Sequence, residues 1–177
     1  MEYKENQSII IGKQIDLRIM EEKDYGNVIA WRNKKHVQNS FIYRKKLTME
    51  DHLYWVKEKI NKHKVIQFII CKKNGKGIGS VYFRDIDRVN KTAEYGIFIG
   101  EEEELSKGYG SEACQLMVKY GFEQLGFQSI TLRLLSENGQ AKRTYEKAGF
   151  REIGRENIEI EFVDSPVEIT FMEVQKP

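Results

Sequence analysis

Lys107-Gly108-Tyr109-Gly110-Ser111-Glu112-Ala113 stands at the mouth of the longest amphipathic stretch in the chain, and an extended run, Thr92-Ala93-Glu94-Tyr95-Gly96-Ile97-Phe98-Ile99, precedes it. The local order is therefore strand, turn, glycine-rich helix start. Two glycines one residue apart let main-chain N–H groups approach a ligand with no Cβ in the way, and the first turn of a helix adds unpaired donors and a positive dipole end. That combination suits phosphate. A glycine pair at a helix start is also ordinary turn punctuation, so its meaning depends on the residues downstream of the helix.

Downstream lies a second strand-like run, Ser129-Ile130-Thr131-Leu132-Arg133-Leu134-Leu135, and then Ser136-Glu137-Asn138-Gly139-Gln140-Ala141-Lys142-Arg143-Thr144-Tyr145-Glu146-Lys147-Ala148-Gly149-Phe150. Asn138 is a candidate N-cap of a short helix, and Gly149 with Phe150 reads as a terminating glycine and its hydrophobic contact. The seven positions from Asn138 to Tyr145 make about two turns, or about 10 Å, so both residues fall near one helix face.

Lys-Gly-Tyr-Gly-Ser-Glu-Ala, followed at this distance by Glu-Asn-x-x-Ala-x-x-x-Tyr-Glu-Lys-x-Gly-Phe, resembles the two core motifs of the Gcn5-related N-acetyltransferases, and Leu-Arg-x-x-x-x-x-Asp at Leu17 to Asp24 resembles the opening of many members. The resemblance implies acetyl-CoA as co-substrate, lying in a V-shaped gap where the Glu94 strand and the next parallel strand splay apart. Main-chain groups of Ile97, Phe98 and Ile99 would bond the pantetheine arm and polarise the thioester carbonyl. Lys107, Gly108, Tyr109, Gly110 and Ser111 would cradle the pyrophosphate, and Asn138, Ala141, Arg143 and Tyr145 would flank the coenzyme. It also implies Tyr145 as the general acid for the departing thiolate; Glu94, a carboxylate on a strand that can face the cleft, is the candidate base, directly or through water, with His52 a secondary candidate. One position departs from the pattern: Leu105 stands where relatives often carry Gln or Arg. Glu101-Glu102-Glu103-Glu104 also precedes a proposed anion site, and the expectation is a solvated bulge pointing away.

At 177 residues, with 40% hydrophobic and 32% charged residues, the chain fits one globular domain with a substantial core. A net charge of +2 with interspersed signs, and no basic stripe with interleaved aromatics, argues against a nucleic-acid partner. Cys71 lies in an apolar run and Cys114 in the main helix; both read as buried thiols, and no metal is expected. Neither a signal peptide nor a membrane span is apparent, which makes a cytoplasmic setting the expectation.

Before and after this core the chain is simpler. Ser8 to Ile11 and Gln14 to Ile19 form one extended segment around Gly12. A short helix opens after Met20 and runs through Val28, Ile29 and Trp31, and residues 37–43 connect it to a second helix capped by Thr48 with Asp51. Leu53, Val56 and Ile60 make that helix's buried face, with His52 and Trp55 off its centre. Val65 to Cys71 and Gly77 to Phe83 pair across an Asn74-Gly75 turn, and Asp85 to Asn90 turns into the Glu94 strand. Ala113, Met117, Tyr120 and Leu125 make the buried face of the main helix. Asn157 to Phe162 and Glu168 to Val174 form a terminal hairpin with one solvated face.

The sum is a single mixed α/β domain over 1–177, with a central, mostly antiparallel sheet of six to seven strands splayed in the middle and helices on both faces. Residues 9–63 would supply the N-terminal strand and two substrate-side helices, 92–150 the acetyl-CoA core and 151–177 the hairpin.

For the acceptor, Trp31, Arg32, Asn33, Phe41 and Tyr43 combine stacking surfaces with polar donors, and His52 and Tyr82 join them as candidates. Trp31-Arg32-Asn33, Phe41-Ile42, Thr48-x-x-x-His52, Trp55-Val56 and Gly77-x-Gly-Ser80 resemble the branch that acetylates amino groups on nucleotide-linked sugars. Arg32 would then meet a diphosphate, and Trp31 or Tyr43 stack on a base or sugar. The reaction implied is direct attack of a primary amine in a ternary complex. Protein N-terminal (ribosomal-protein-type), polyamine and antibiotic acetylation stay open, as do a non-catalytic acyl-CoA sensor and a homodimeric assembly.

Overall fold

Alternating apolar residues build eight strands. The computed structural model describes residues 9–161 and 163–177; Ser8 and Phe162, which belong to two of the runs above, lie outside the described residues. In chain order the elements are β1 (Ile9–Ile11), β2 (Ile15–Ile19), α1 (Tyr25–Arg32), α2 (Lys35–Ser40), α3 (Met49–Trp55), β3 (Ile66–Lys72), β4 (Gly77–Asp87), β5 (Thr92–Ile99), α4 (Tyr109–Glu123), β6 (Ser129–Leu135), α5 (Gly139–Lys147), β7 (Arg151–Ile158) and β8 (Val167–Gln175). One sheet takes them all in the order β1-β2-β3-β4-β5-β6-β8-β7, antiparallel throughout except between β5 and β6. No helix among the described residues is long and apolar enough to cross a membrane.

Side-chain alternation sorts the sheet into two faces. Phe68, Ile70, Val81, Phe83, Tyr95, Ile130 and Leu132 pack against Ala113, Met117 and Tyr120 of α4 in the larger core. Ile69, Cys71 and Phe98 point the other way and pack against Val28 and Trp31 of α1 and Val37 of α2. Helices thus cover both faces. The fork from Arg18 to Asp24, with N–O distances of 2.9 and 2.8 Å, pins β2 to the start of α1.

Several elements differ from the sequence expectation. The sheet has eight strands, not six or seven, because the chain turns back at Gly12: its amide bonds to the Ile15 carbonyl, and β1 and β2 pair as a hairpin. Residues 37–43 are not simply a connection, since α2 occupies their first part. Thr48 caps α3 with Asp51 as expected. The buried face of α3 is not Leu53, which is 49% exposed, but His52, at 2%. A π-helical turn over Val56–Ile60 widens the helix there and shifts the stripe by a residue. β4 continues to Asp87, past the expected turn start at Asp85, through an irregularity between Arg84 and Asp87. β7 begins at Arg151, six residues before the expected strand, with almost every residue exposed.

Candidate active site

The site forms where the one parallel pairing stops. β5 and β6 pair only through Thr92/Ser129, Ala93/Ile130 and Glu94/Thr131. Beyond Glu94, β5 stays with β4 as far as Ile99/Gly79, while β6 follows β8 as far as Leu135/Ile169. The strands diverge, and the β5 edge from Tyr95 onward keeps main-chain donors and acceptors with no strand partner. His36 Nε2 lies 3.0 Å from the Ile99 carbonyl oxygen, to which it donates.

Below the gap, on the α4 face, Gly108 opens α4 with φ +86°, a left-handed conformation in which a side chain is strained. No side chain caps the helix, so its first N–H groups are left for a ligand. Little stands over the two glycines: a Cβ on Gly108 or Gly110 would have its nearest neighbour at 3.9 or 4.0 Å. Across the mouth, Asn138 caps α5 by accepting from Ala141 N at 3.1 Å, and Gln140 Nε2 donates to Ser106 Oγ at 3.2 Å. This pocket of bare amides, with Arg143 on its rim, fits a pyrophosphate.

A cleft of about 1300 Å³ runs from this pocket through the gap to the opposite face. Ile97, Phe98 and Ile99, then Gly108, Tyr109, Gly110 and Ser111, then Asn138, Ala141, Arg143 and Tyr145 all line it. Lys107 does not: its Nζ is 2.9 Å from Glu104. Tyr145 rests edge-on against Tyr95 and Phe150, with centroids 6.0 and 6.1 Å apart. Burial pushes its phenol well above the usual range, with smaller contributions from Cys114 and Tyr82, so it holds its proton at neutral pH. Beneath it, burial also raises the Cys114 thiol, to about 12.

The acidic run is a correction. Glu102 and Glu103 are exposed as expected, but Glu101 and Glu104 turn inward and are neutralised. Glu101 accepts from Trp31 Nε1 at 2.7 Å and Lys34 Nζ at 3.1 Å. Glu104 is 5% exposed and lines the cleft, where Lys72 at 2.8 Å and Lys107 at 2.9 Å hold its carboxyl at about 2. Two lysines on Glu104, and a lysine with an indole N–H on Glu101, explain how an acidic turn coexists with an anion pocket.

On the α1–α3 face, Arg32, Phe41, Tyr43, His52 and Tyr82 line the cleft; Trp31 and Asn33 do not. Trp31 is 4% exposed and fills the space over Gly100, and Asn33 is spent on a reciprocal pair of 2.8 Å bonds with the Leu47 backbone. The Arg32 guanidinium lies 3.7 Å from the Phe41 ring centroid and 5.8 Å from that of Phe98. Burial lowers its pKa, and no carboxylate among the described residues reaches it. His52, expected off the centre of the buried face of α3, is buried against Tyr25, with Nε2 unpartnered; burial keeps it neutral. Tyr82 lies across Gly96, where a Cβ would come within 2.4 Å of its ring, and Trp55 abuts it at 6.3 Å.

Sequence reading missed His36, Trp55, Arg84 and Arg133, all in the lining. The last two meet at Glu94: its Oε1 accepts from Arg84 Nη2 at 2.6 Å and Arg133 Nε at 3.1 Å. Only the strand register, in which Arg84 faces Glu94 and Arg133 follows Thr131 on the same face, would have found them.

A family model for the acetyltransferase (GNAT) domain matches residues 14–151. An uncharacterized prophage-derived N-acetyltransferase of Bacillus subtilis is 28% identical over 101 residues, 57% of this chain and 56% of that protein. The spermidine N(1)-acetyltransferase of Escherichia coli K12 is 34% identical over 81 residues, 46% of this chain and 43% of that protein. These matches span about half the length of the relatives concerned. Among solved structures, the spermidine N-acetyltransferase of Vibrio cholerae in complex with CoA and spermine superposes with a TM-score of 0.85 at 21% identity, covering 93% of this chain and 96% of that one. With the splayed parallel pair, the uncapped α4 and a family match over most of its length, this chain belongs to the GNAT acetyltransferase family.

Proposed function

We propose that the protein moves an acetyl group from acetyl-CoA to a primary amine by direct attack in a ternary complex, and that the acceptor is the amino group of a nucleotide-linked amino sugar. The observation that carries the reaction is the single cleft linking the bare amides of α4, through the β5/β6 gap, to the α1–α3 face, with Tyr145 in its wall. The α4 amides and the α5 cap region would hold the pyrophosphate, and the free β5 edge the pantetheine arm. Placing both reactants in one gap removes several kcal/mol of barrier before any acid or base acts. The neutral amine attacks the thioester carbonyl, the C–N bond forms, and the C–S bond breaks. The thiolate takes the Tyr145 proton, and the nitrogen's surplus proton leaves so that Tyr145 is recharged from solvent.

Arg32 supports an acceptor bearing an anion. A half-buried guanidinium with no carboxylate partner is costly to keep and is relieved by a phosphate. Phe41, Tyr43, Trp55 and Tyr82 offer ring surface for a base or sugar. A second reading, a polyamine acceptor, draws on the spermidine acetyltransferase relatives and on Asp51, Glu159 and Glu161 in the same lining. A thiol-release assay with UDP-amino sugars, spermidine and N-terminal peptides tests both. Release with an amino sugar alone is the expected result; release with spermidine alone replaces the first acceptor by the second, and saturable acetyl-CoA binding without release from any amine overturns the catalytic reading in favour of a sensor.

A further inference from the structure

The carboxylate expected to act as base is engaged elsewhere. Glu94 is the last residue of β5 to pair with β6, opposite Thr131, and Arg133 lies two residues, or about 6.6 Å of strand, further into the diverging part. Residues 84, 94, 131 and 133 share the acceptor face of the sheet. From that point Arg133 reaches back to Glu94 Oε1, and Arg84, directly across β4, reaches the same oxygen. One oxygen atom therefore joins three strands at the vertex of the V.

Resting on the acetyl-transfer reading above, we infer that Glu94 is a positioning residue rather than the base: with Arg84 and Arg133 it clasps β4, β5 and β6 where the strands part and so fixes the gap that receives the thioester. A base needs a lone pair directed at the amine. Oε1 already accepts two charge-assisted hydrogen bonds, from guanidiniums whose side chains are 29% and 34% exposed, and these fix the orientation of the whole carboxylate. Asp85 is the other carboxylate near Arg84, at 3.6 Å from Nε, and its side chain is 68% exposed.

With Glu94 so engaged, the proton shed by the amine after attack passes to solvent in the open cleft, where Arg32, Arg84 and Arg133 are matched by Glu94, Glu159 and Glu161.

The test pairs Glu94→Gln with Arg133→Met and Arg133→Lys in the full chain. Calorimetry with CoA is read beside the pH–rate profile for whichever amine the wild type acetylates. Glutamine still accepts hydrogen bonds from both arginines, so Glu94→Gln is expected to keep the acidic limb of the profile and to keep kcat within about fivefold. Arg133→Met, which frees the carboxylate but opens the clasp, is expected to weaken CoA binding and lower kcat/KM by about tenfold, and Arg133→Lys to recover most of both. Loss of the acidic limb in Glu94→Gln overturns the inference in favour of a base. CoA affinity in Arg133→Met equal to wild type also overturns it. If no amine is turned over, the acetyl-transfer reading fails by itself, and the CoA measurement still decides the clasp.

Discussion

The two arms of the cleft are built from different material. The arm proposed for the coenzyme is mostly main chain: amides at the start of α4, the unpaired edge of β5 and the cap of α5. The arm proposed for the acceptor is mostly side chain: Arg32 from α1, Phe41 from the loop after α2, His52 from α3 and Tyr82 from β4. Main-chain donors are indifferent to most substitutions but demand special backbone conformations, so such a site leaves a compact mark of glycines and caps. A side-chain site can be rewritten residue by residue. The coenzyme arm should therefore respond to backbone changes, the acceptor arm to side-chain changes, and Tyr145, at their junction, to the loss of one oxygen.

That junction gives the largest expected effect. Tyr145→Phe keeps the ring contacts with Tyr95 and Phe150 but removes the proposed proton source, and turnover should fall about a hundredfold while acetyl-CoA affinity stays nearly intact. Because burial raises the phenol, the acid form persists through neutral and mildly alkaline pH, and the wild-type rate should show no loss assignable to this group below about pH 10. Unchanged turnover in the variant, by single-turnover kinetics, would remove the acid from Tyr145 and the junction from the comparison.

Next in size is a test of the acceptor arm. Arg32→Gln removes the unpartnered charge but can still pack on Phe41. KM for an anionic acceptor should rise about thirtyfold, with KM for acetyl-CoA unchanged. A neutral or cationic amine should lose nothing. Equal losses for both kinds of amine would mean that Arg32 supports the fold of α1 rather than reading an anion.

The coenzyme arm is sharpened by Gly108→Ala. At φ +86° a side chain costs about 1–2 kcal/mol, although nothing crowds the position itself. The expected result is a CoA dissociation constant raised about tenfold and an acceptor KM left alone. Moving both together would show that the arms are not separable.

The same division explains what could be read from the sequence. The core strands and α4 announce themselves by period, and the glycine-opened start of α4 and the Asn138 cap of α5 by two contiguous motifs, because their partners lie within one or two turns. The acceptor arm has no such locality. Trp31 and Asn33 have the chemistry of recognition residues, yet Trp31 sits under Glu101, 70 positions away, and Asn33 holds the loop at Leu47. Arg84 and Arg133 become meaningful only once the strand register places them beside Glu94. His52 was named as a candidate, but its burial was missed because a π-helical turn breaks the 3.6-residue stripe on which the buried face of α3 was assigned. Gly12, read inside a strand, is a turn, and nothing in its immediate neighbours separates the two.

Glu104 offers the smallest effect and the most discriminating one, since its carboxylate lines the cleft beside the main-chain donors proposed to hold the coenzyme. Its partner Lys72 closes β3, and its partner Lys107 precedes the α4 glycines. If those pairs fix the turn that presents Gly108, the stabilisation must track the charge on the carboxyl. Its folded value of about 2 lies below the ordinary 4.5, so the contribution is complete above about pH 4.5 and disappears as pH falls through about 2. Glu104→Gln should therefore lower the melting temperature by about 2–4 °C at pH 7, and the gap between variant and wild type should close between pH 4.5 and 2. Glu152 titrates over the same range between Arg155 and Lys142, but it does so in both proteins and cancels from the difference. A gap that stays constant down to about pH 2 would show that Glu104 acts through its packing, and the charge balance of the coenzyme arm would then have to be carried by the helix amides alone.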